Sequence, residues 1–274
     1  MSADRAFRAR YGPWALVAGA AMGLGAEFAR QLAERGLALV LLDREAAALE
    51  ATAASIAAAH AVTVRPVVVD LGRPDLVEAL AGSIAGLEIG LLVYNAALGT
   101  VAPFLALDPS HTERMLDVNC RAPLRLLHAL APPMVTRGRG GIVLMSSLAG
   151  SFGSAQLAVY AATKAFALVL ADALWVELGE HGVDVLAVQP GATRTPGWES
   201  SQPADHTAAA RPVMEPADVV REALAAIVTG PHLVAGEENR RAAEAFRHLE
   251  RRQVVEAMSQ ITRALRPNYR RAAG

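Results

Sequence analysis

The chain has 274 residues, 53% of them hydrophobic and 19% charged, with a formal net charge of −1. That balance excludes disorder as the main state and gives no global attraction to nucleic acid or to an anionic membrane. A single cysteine, Cys120, excludes an intramolecular disulfide and points to a reducing, cytoplasmic setting. The opening residues, MSADRAFRARYGP, are basic without an apolar core, so no secretory signal is expected. Gly, Pro or charge breaks every apolar run before about 18 residues, so no membrane span is expected.

Seven short apolar runs read as strands: 14–20, 37–43, 62–71, 89–97, 140–147, 183–191 and 231–237. They are nearly continuous in Val, Leu and Ile, the pattern of strands buried on both faces. Amphipathic segments such as 24–36 alternate with them, closed in that case by a glycine. This alternation predicts an α/β fold with a parallel, doubly wound sheet of about seven strands and helices on both faces. We expect one domain, residues 1–274, with a core at 12–236 and a helical extension at 237–274. In such sheets ligands bind outside the carboxyl ends of the strands.

The first strand runs into Ala18, Gly19, Ala20, Ala21, Met22, Gly23, Leu24 and Gly25, and a helix follows. Glycine allows close backbone approach, and helix N-terminal amides attract a pyrophosphate. The spacing is G-x-x-x-G-x-G, weak by itself because a structural turn uses glycine too. Asp43, closing the second strand, strengthens it, since an acid there can hold ribose hydroxyls. Asp43 repels a ribose 2′-phosphate by about 4 kcal/mol at 4 Å and an effective dielectric of ~20. Arg44 can offset that repulsion, so NAD(H) is favoured and NADP(H) stays open. Asp70, near the end of the third strand, either caps the next helix or lies beside the adenine.

Asn119 falls in LDVNCRAPL, a helical stretch where asparagine is unfavourable and can disturb the backbone bonding. Ser147 ends the fifth strand, where it can cap a turn or bond a substrate oxygen. Tyr160 and Lys164 lie four apart on one helix face, and Lys164 is the only lysine in the chain. A cation beside a phenol lowers its pKa and suits it to proton transfer. Residues 196–215 read as a mobile lid, with Trp198 and Met214 as apolar contacts. The tail from Glu237 carries nine Arg and five Glu with apolar residues at helical spacing. It predicts one or two helices packed on the domain or on a partner subunit. The histidines show no ligand spacing, so no metal is expected.

With these motifs the chain resembles the short-chain dehydrogenase/reductase family from about residue 12 to 236. The resemblance rests on AGAAMGLG, Asp43, VDL (69–71), YNAA (94–97), Asn119, Ser147, YAATK and QPGATRT (189–195). It implies an NAD(P)-dependent alcohol dehydrogenase or ketone reductase of Rossmann type. By resemblance, Tyr160 is the general acid/base, and Lys164 lowers its pKa and binds the nicotinamide ribose. Ser147 positions the substrate and Asn119 supports a water-linked proton relay. The cofactor set is Gly19, Ala21, Met22, Gly23, Leu24, Gly25, Asp43, Arg44, Asp70, Leu71, Asn95, Ala96, Ala97, Tyr160, Lys164, Pro190, Gly191, Thr193 and Thr195. Leu98 and Trp198, with Ser147 and Tyr160, are expected to meet an apolar alcohol or ketone. The helix of Tyr160 is apolar almost all round, which fits pairing into a homodimer or homotetramer.

Three features depart from the family pattern. Ala18 replaces the usual threonine, so a hydroxyl tie to the fourth strand is lost. Ala97 replaces a glycine and narrows the floor of the substrate site. The Asp43–Arg44 pair leaves cofactor preference open. A NAD-recycling epimerase or dehydratase, and a dinucleotide-binding scaffold, are the competing readings. The short region after residue 191 opposes the first, and the intact Tyr160–Lys164 pair opposes the second.

Overall fold

The computed structural model describes residues 3–201 and 213–265. Its seven strands are β1 (Trp14–Ala18), β2 (Ala38–Asp43), β3 (Val64–Val68), β4 (Ile89–Tyr94), β5 (Gly140–Met145), β6 (Val183–Gln189) and β7 (His232–Val234). They form one parallel sheet in the order β3-β2-β1-β4-β5-β6-β7. Val17 registers with Leu41 on one side and Val93 on the other. The order reverses between β1 and β4, which opens a crevice at the carboxyl ends of those strands.

Side-chain alternation sends neighbouring residues of each strand into two separate cores. Ala15 and Val17 meet Phe28 and Leu32 of α2 (Gly23–Glu34), Ile56 of α3 (Ala46–Ala59) and Val220 of α9 (Pro216–Ala226). Leu16 and Ala18 meet Leu80 of α4 (Leu76–Ile84), Leu126 of α6 (Ala122–Arg137) and Leu168 of α7 (Ala158–Gly179). Both faces of the sheet are covered, which is why its strands read as unbroken apolar runs. The fold is the Rossmann-type sheet expected.

The ends of the chain add what the strand pattern did not show. Residues Ala3–Tyr11 form α1, and the buried Tyr11 hydroxyl donates to Asp184 Oδ2 at 2.6 Å. Arg10 Nη2 donates to Asp184 Oδ1 at 2.7 Å, so β6 anchors α1. After β7 come α10 (Glu237–Arg247) and α11 (Arg251–Leu265), two helices packed on the core. Helix α7 is long and apolar enough to cross a membrane by length and composition. Here it covers the sheet with Ala161, Lys164, Leu168 and Ala171 buried.

Candidate active site

The glycine turn folds as its sequence requires. Gly19 has φ +81°, and a Cβ there would lie 2.6 Å from Ala96 Cα. Met22 opens α2 without a side-chain cap and without an acid in the first turn. The amides and dipole of that terminus are therefore left for an anion. Ala18 makes no hydroxyl tie, yet the turn is still sewn to β4. The Asn95 and Ala96 amides donate to Ala18 O at 3.0 and 2.9 Å, and Asn95 Nδ2 donates to Gly19 O at 2.8 Å. A groove of about 480 Å³ runs from this turn past Asp43, Asp70 and Leu71 to Ala97 and Thr195.

Asp43 Oδ2 accepts from the Ala21 amide at 2.9 Å, and Oδ1 accepts from the Arg44 and Glu45 amides at 2.8 and 3.2 Å. The carboxylate thus fixes the glycine turn as well as facing the groove. Arg44 Nε donates to Glu45 Oε1 at 3.0 Å. Asp70 does not cap α4, whose N-cap is Asp75. It accepts from the Gly72 amide at 3.0 Å and pairs with Arg114, which holds its carboxyl below the ordinary aspartate value. Arg114 was not foreseen. It belongs to α5 (Pro109–Leu116), and no local pattern announces a contact 44 positions away.

Between α5 and α6 the backbone widens into a π-helical turn, Asp117–Arg121, with Asn119 inside it. Asn119 Oδ1 accepts from the Leu98 amide, and its Nδ2 donates to Leu98 O, each at 2.8 Å. The same Nδ2 donates to Thr163 Oγ1 at 2.9 Å, one residue before Lys164. Lys164 is 5% exposed, and its Nζ donates to Met145 O at 2.7 Å. Burial pulls its pKa down to about 8. A void of about 10 Å³ bordered by Asn119, Thr163 and Lys164 is near the minimum for one water.

Tyr160 departs from expectation in one respect. Its phenol is pushed up, not down, because burial favours the neutral form; Ser147 draws it the other way. The Lys164 ammonium lies 5.7 Å from the ring centroid and is turned to the Met145 carbonyl. Ser147 has extended backbone, and its Oγ accepts from the Ala149 amide at 3.2 Å, so it also caps a short turn. Ser146, unremarked in the sequence, donates from a buried hydroxyl to Lys164 O at 2.7 Å and ties β5 to α7.

Beside Ser147 opens a second cavity of about 430 Å³, walled by Leu148, Phe152, Pro190 and Gly191 and by residues of α10 and α11. Leu98 and Trp198 are not among its described lining residues. Leu98 borders the groove, its backbone clamped by Asn119. Trp198 lies on α8 (Pro196–Ser201), with its amide donating to Thr195 Oγ1 at 3.2 Å. Met214 bridges Thr193, and its sulfur accepts from Asn239 Nδ2 at 3.6 Å. Ala97 likewise lines the groove, not the floor of this cavity. The proposed lid falls partly at 202–212, outside the described residues. The described lining of the cavity joins Pro190, Gly191 and Ala192 after β6 to residues of the two C-terminal helices, and neither Trp198 nor Met214 is among them. Among the described residues no three His, Cys, Asp or Glu side chains group as metal ligands.

Residues 13–206 match the short chain dehydrogenase family. The chain belongs to that family. It is 30% identical over 255 residues to a 7beta-hydroxysteroid dehydrogenase from Clostridium sardiniense, covering 93% of this chain and 97% of that one. A solved 7beta-hydroxysteroid dehydrogenase structure superposes with a TM-score of 0.86 at 26% identity, covering 92% of this chain and 98% of the other. A short-chain dehydrogenase from Sphingobium yanoikuyae, solved in complex with NADPH, gives 0.74 at 33% identity, with 90% and 96% covered. This short-chain dehydrogenase is an NAD(P)-dependent oxidoreductase acting on alcohol and carbonyl groups.

The Tyr160 ring rests on Gly99, where a Cβ would lie 2.9 Å from Tyr160 Cδ2. Gly99→Ala displaces the ring by fractions of an ångström. Turnover is expected to fall about 10-fold to 10²-fold with unchanged NADH affinity. Stopped-flow hydride transfer beside a fluorescence titration of NADH checks this. Equal rates in both proteins would show that the ring adapts.

Proposed function

We propose that this enzyme interconverts bulky apolar secondary alcohols and ketones, with Tyr160 exchanging the proton. One observation carries the substrate class: the 430 Å³ cavity beside Ser147 is lined by Leu148, Phe152, Phe246, Met258 and Ile261, with Glu238 as the one charged residue on its described wall. Such a lining favours a rigid hydrocarbon frame over a sugar or an anionic acyl group. The hydroxysteroid dehydrogenase relative supports that reading.

A bound nicotinamide supplies or accepts the hydride. Gly19, Ala21, Met22, Gly23, Leu24 and Gly25 would hold its pyrophosphate, and Asp43 and Asp70 would flank its adenosine. Asn95, Ala96, Pro190, Gly191, Thr193 and Thr195 continue the path toward the reacting end. Ser147 donates a hydrogen bond to the substrate oxygen, while the Tyr160 phenol gives that oxygen its proton in reduction and recovers it in oxidation. The raised phenol pKa keeps the proton in place for reduction at neutral pH. Lys164 would hold the ribose and offer a positive charge as phenolate develops. The void beside Asn119 supports the water-linked relay that refills the proton. Incubation with NADH and a panel of cyclic and polycyclic ketones tests the reading. Bleaching of the nicotinamide absorbance with bulky ketones is expected, and NADH binding without turnover of any ketone contradicts it.

NAD(H) is the favoured cofactor. Asp43 and Arg44 both border the groove, and the Arg44 guanidinium is shared with the exposed Glu45, which weakens its offset of the Asp43 charge. The NADPH-bound neighbour shows that a relative accepts the phosphate. Asp43→Ala should shift the kcat/KM ratio toward NADPH by about 10-fold or more, since each 1.4 kcal/mol of relieved repulsion is a factor of ten. An unchanged ratio would remove Asp43 from cofactor choice.

We propose a single-domain homo-oligomer working in the cytoplasm. Val169, Trp175 and Val176 stand exposed on α7, with Val169 at 69%, and support pairing through that helix. Light scattering reads the mass, and a monomer would oppose this arrangement.

A further inference from the structure

We infer that Tyr94 is a positioning residue whose hydroxyl holds open the π-helical turn that aims Asn119. The inference deepens the proposed proton relay and rests on Asn119 serving it.

The backbone of the turn creates a need that Tyr94 meets. The Ala122 amide reaches back five residues to Asp117 O, so it is not given to Val118. Residue 123 is proline and has no N–H. The donors that a helix offers Val118 O, four and five residues on, are thus both removed. That carbonyl belongs to a residue only 7% exposed, where an unpaired acceptor is costly. The Tyr94 hydroxyl donates to it at 2.5 Å. Burial pushes this phenol up, so it stays protonated as a donor.

Tyr94 holds the turn from a rigid base. It closes β4 in the middle of the sheet, in register with Ala18 of β1 and Leu144 of β5. Its ring belongs to the apolar core that β4 and β5 share with α6. Phenylalanine would serve that packing equally; what the hydroxyl adds is the bond to Val118.

Asn119 follows Val118 directly. A helix turns by about 100° per residue, so a turn that closed by one residue would swing Asn119 off its partners. Those partners are Leu98, held through both its amide and its carbonyl, and Thr163, the neighbour of Lys164. The small void bordered by Asn119 and Lys164 is bordered by Tyr94 and Pro123 as well. The residue that caps the turn and the proline that denies it a backbone donor therefore both lie at the proposed relay. A π-turn kept open in this way is a common device at functional sites.

Tyr94→Phe removes the hydroxyl and keeps the ring. Amide hydrogen exchange of the full-length protein, read by mass spectrometry without cofactor or ketone, follows the turn. Peptides spanning Leu98 and 117–122 should exchange at least about 10-fold faster, with β4 and the rest of α6 as in wild type. Cyclohexanone turnover at saturating NADH should fall about 10-fold to 10²-fold, with the NADH dissociation constant and the ketone KM within about two-fold of wild type. Para-aminophenylalanine at position 94 keeps an N–H donor and should restore turnover. In an Asn119→Ala background, Tyr94→Phe should change turnover by less than about two-fold, because its effect passes through Asn119.

Unchanged exchange at Leu98 and 117–122, wild-type turnover, losses that multiply with Asn119→Ala, or no recovery with the amine would each overturn the inference. So would failure of Tyr94→Phe to fold, because the hydroxyl would then hold the domain and not the turn. Failure of wild type to reduce cyclohexanone would instead count against the enzymatic reading. The exchange arm needs no turnover and still decides the inference.

Discussion

Lys164→Met is expected to lower turnover by about 10²-fold to 10³-fold while raising the melting temperature. The loss follows from removing the cation beside the phenol that must release a proton. The gain follows from burial. The ammonium is 5% exposed and its pKa falls from 10.5 to about 8. By linkage that depression costs the folded state at most about 3 kcal/mol below the folded pKa. Losing the bond to Met145 O returns roughly 1 kcal/mol of the difference. The sign can be checked across pH. Between about 8 and 10.5 the unfolded chain keeps a proton that the folded protein has released, so wild-type stability rises with pH there. The variant should lack that rise. Wild-type ketone reduction should also decline as pH passes about 8, when the ammonium is lost. A variant that is both active and no more stable would contradict this account of Lys164.

Gly25→Ala is expected to abolish productive cofactor binding. A Cβ at Gly25 would lie 1.8 Å from Gly19 O and 2.7 Å from Asn95 Nδ2. The first neighbour is backbone, held in place by a turn with φ +81° at Gly19 and by the Asn95 bond. Relief requires α2 to move off the turn, which misaligns the amides at its N-terminus and opens the packing of Phe28 on Val17. Overpacking of this kind costs about 1–3 kcal/mol or more, so NADH affinity should fall at least about 10-fold with a lower melting temperature. Wild-type affinity would show that the turn yields without disturbing the site.

The fold was legible because burial on both faces writes itself into a sequence as unbroken apolar runs. All seven strands are present, but several end earlier than the runs do. Residues 19–20, 95–97 and 146–147 continue the small or apolar pattern yet leave the sheet to form the turns of the site. The site was legible where its chemistry demands particular residue types, as at Gly19, Asp43, Asn119 and the Tyr160–Lys164 pair. Contacts made at a distance were not. Arg114 on Asp70, Tyr11 on Asp184 and Ser154 on Thr262 join positions that no local period connects. Helical spacing in the tail announced α10 and α11, but not which surface they would cover. The Tyr160 pKa was misread for the same reason: a neighbouring cation is visible in sequence, whereas burial of both groups is not.

Proton transfer by Tyr160 is the centre of this account. Tyr160→Phe keeps the ring that packs on Gly99 and removes only the hydroxyl. Its rate of cyclohexanone reduction at saturating NADH, measured beside its NADH dissociation constant, tests the claim most directly. Turnover should fall about 10³-fold with NADH affinity unchanged. Turnover at the wild-type rate would contradict it.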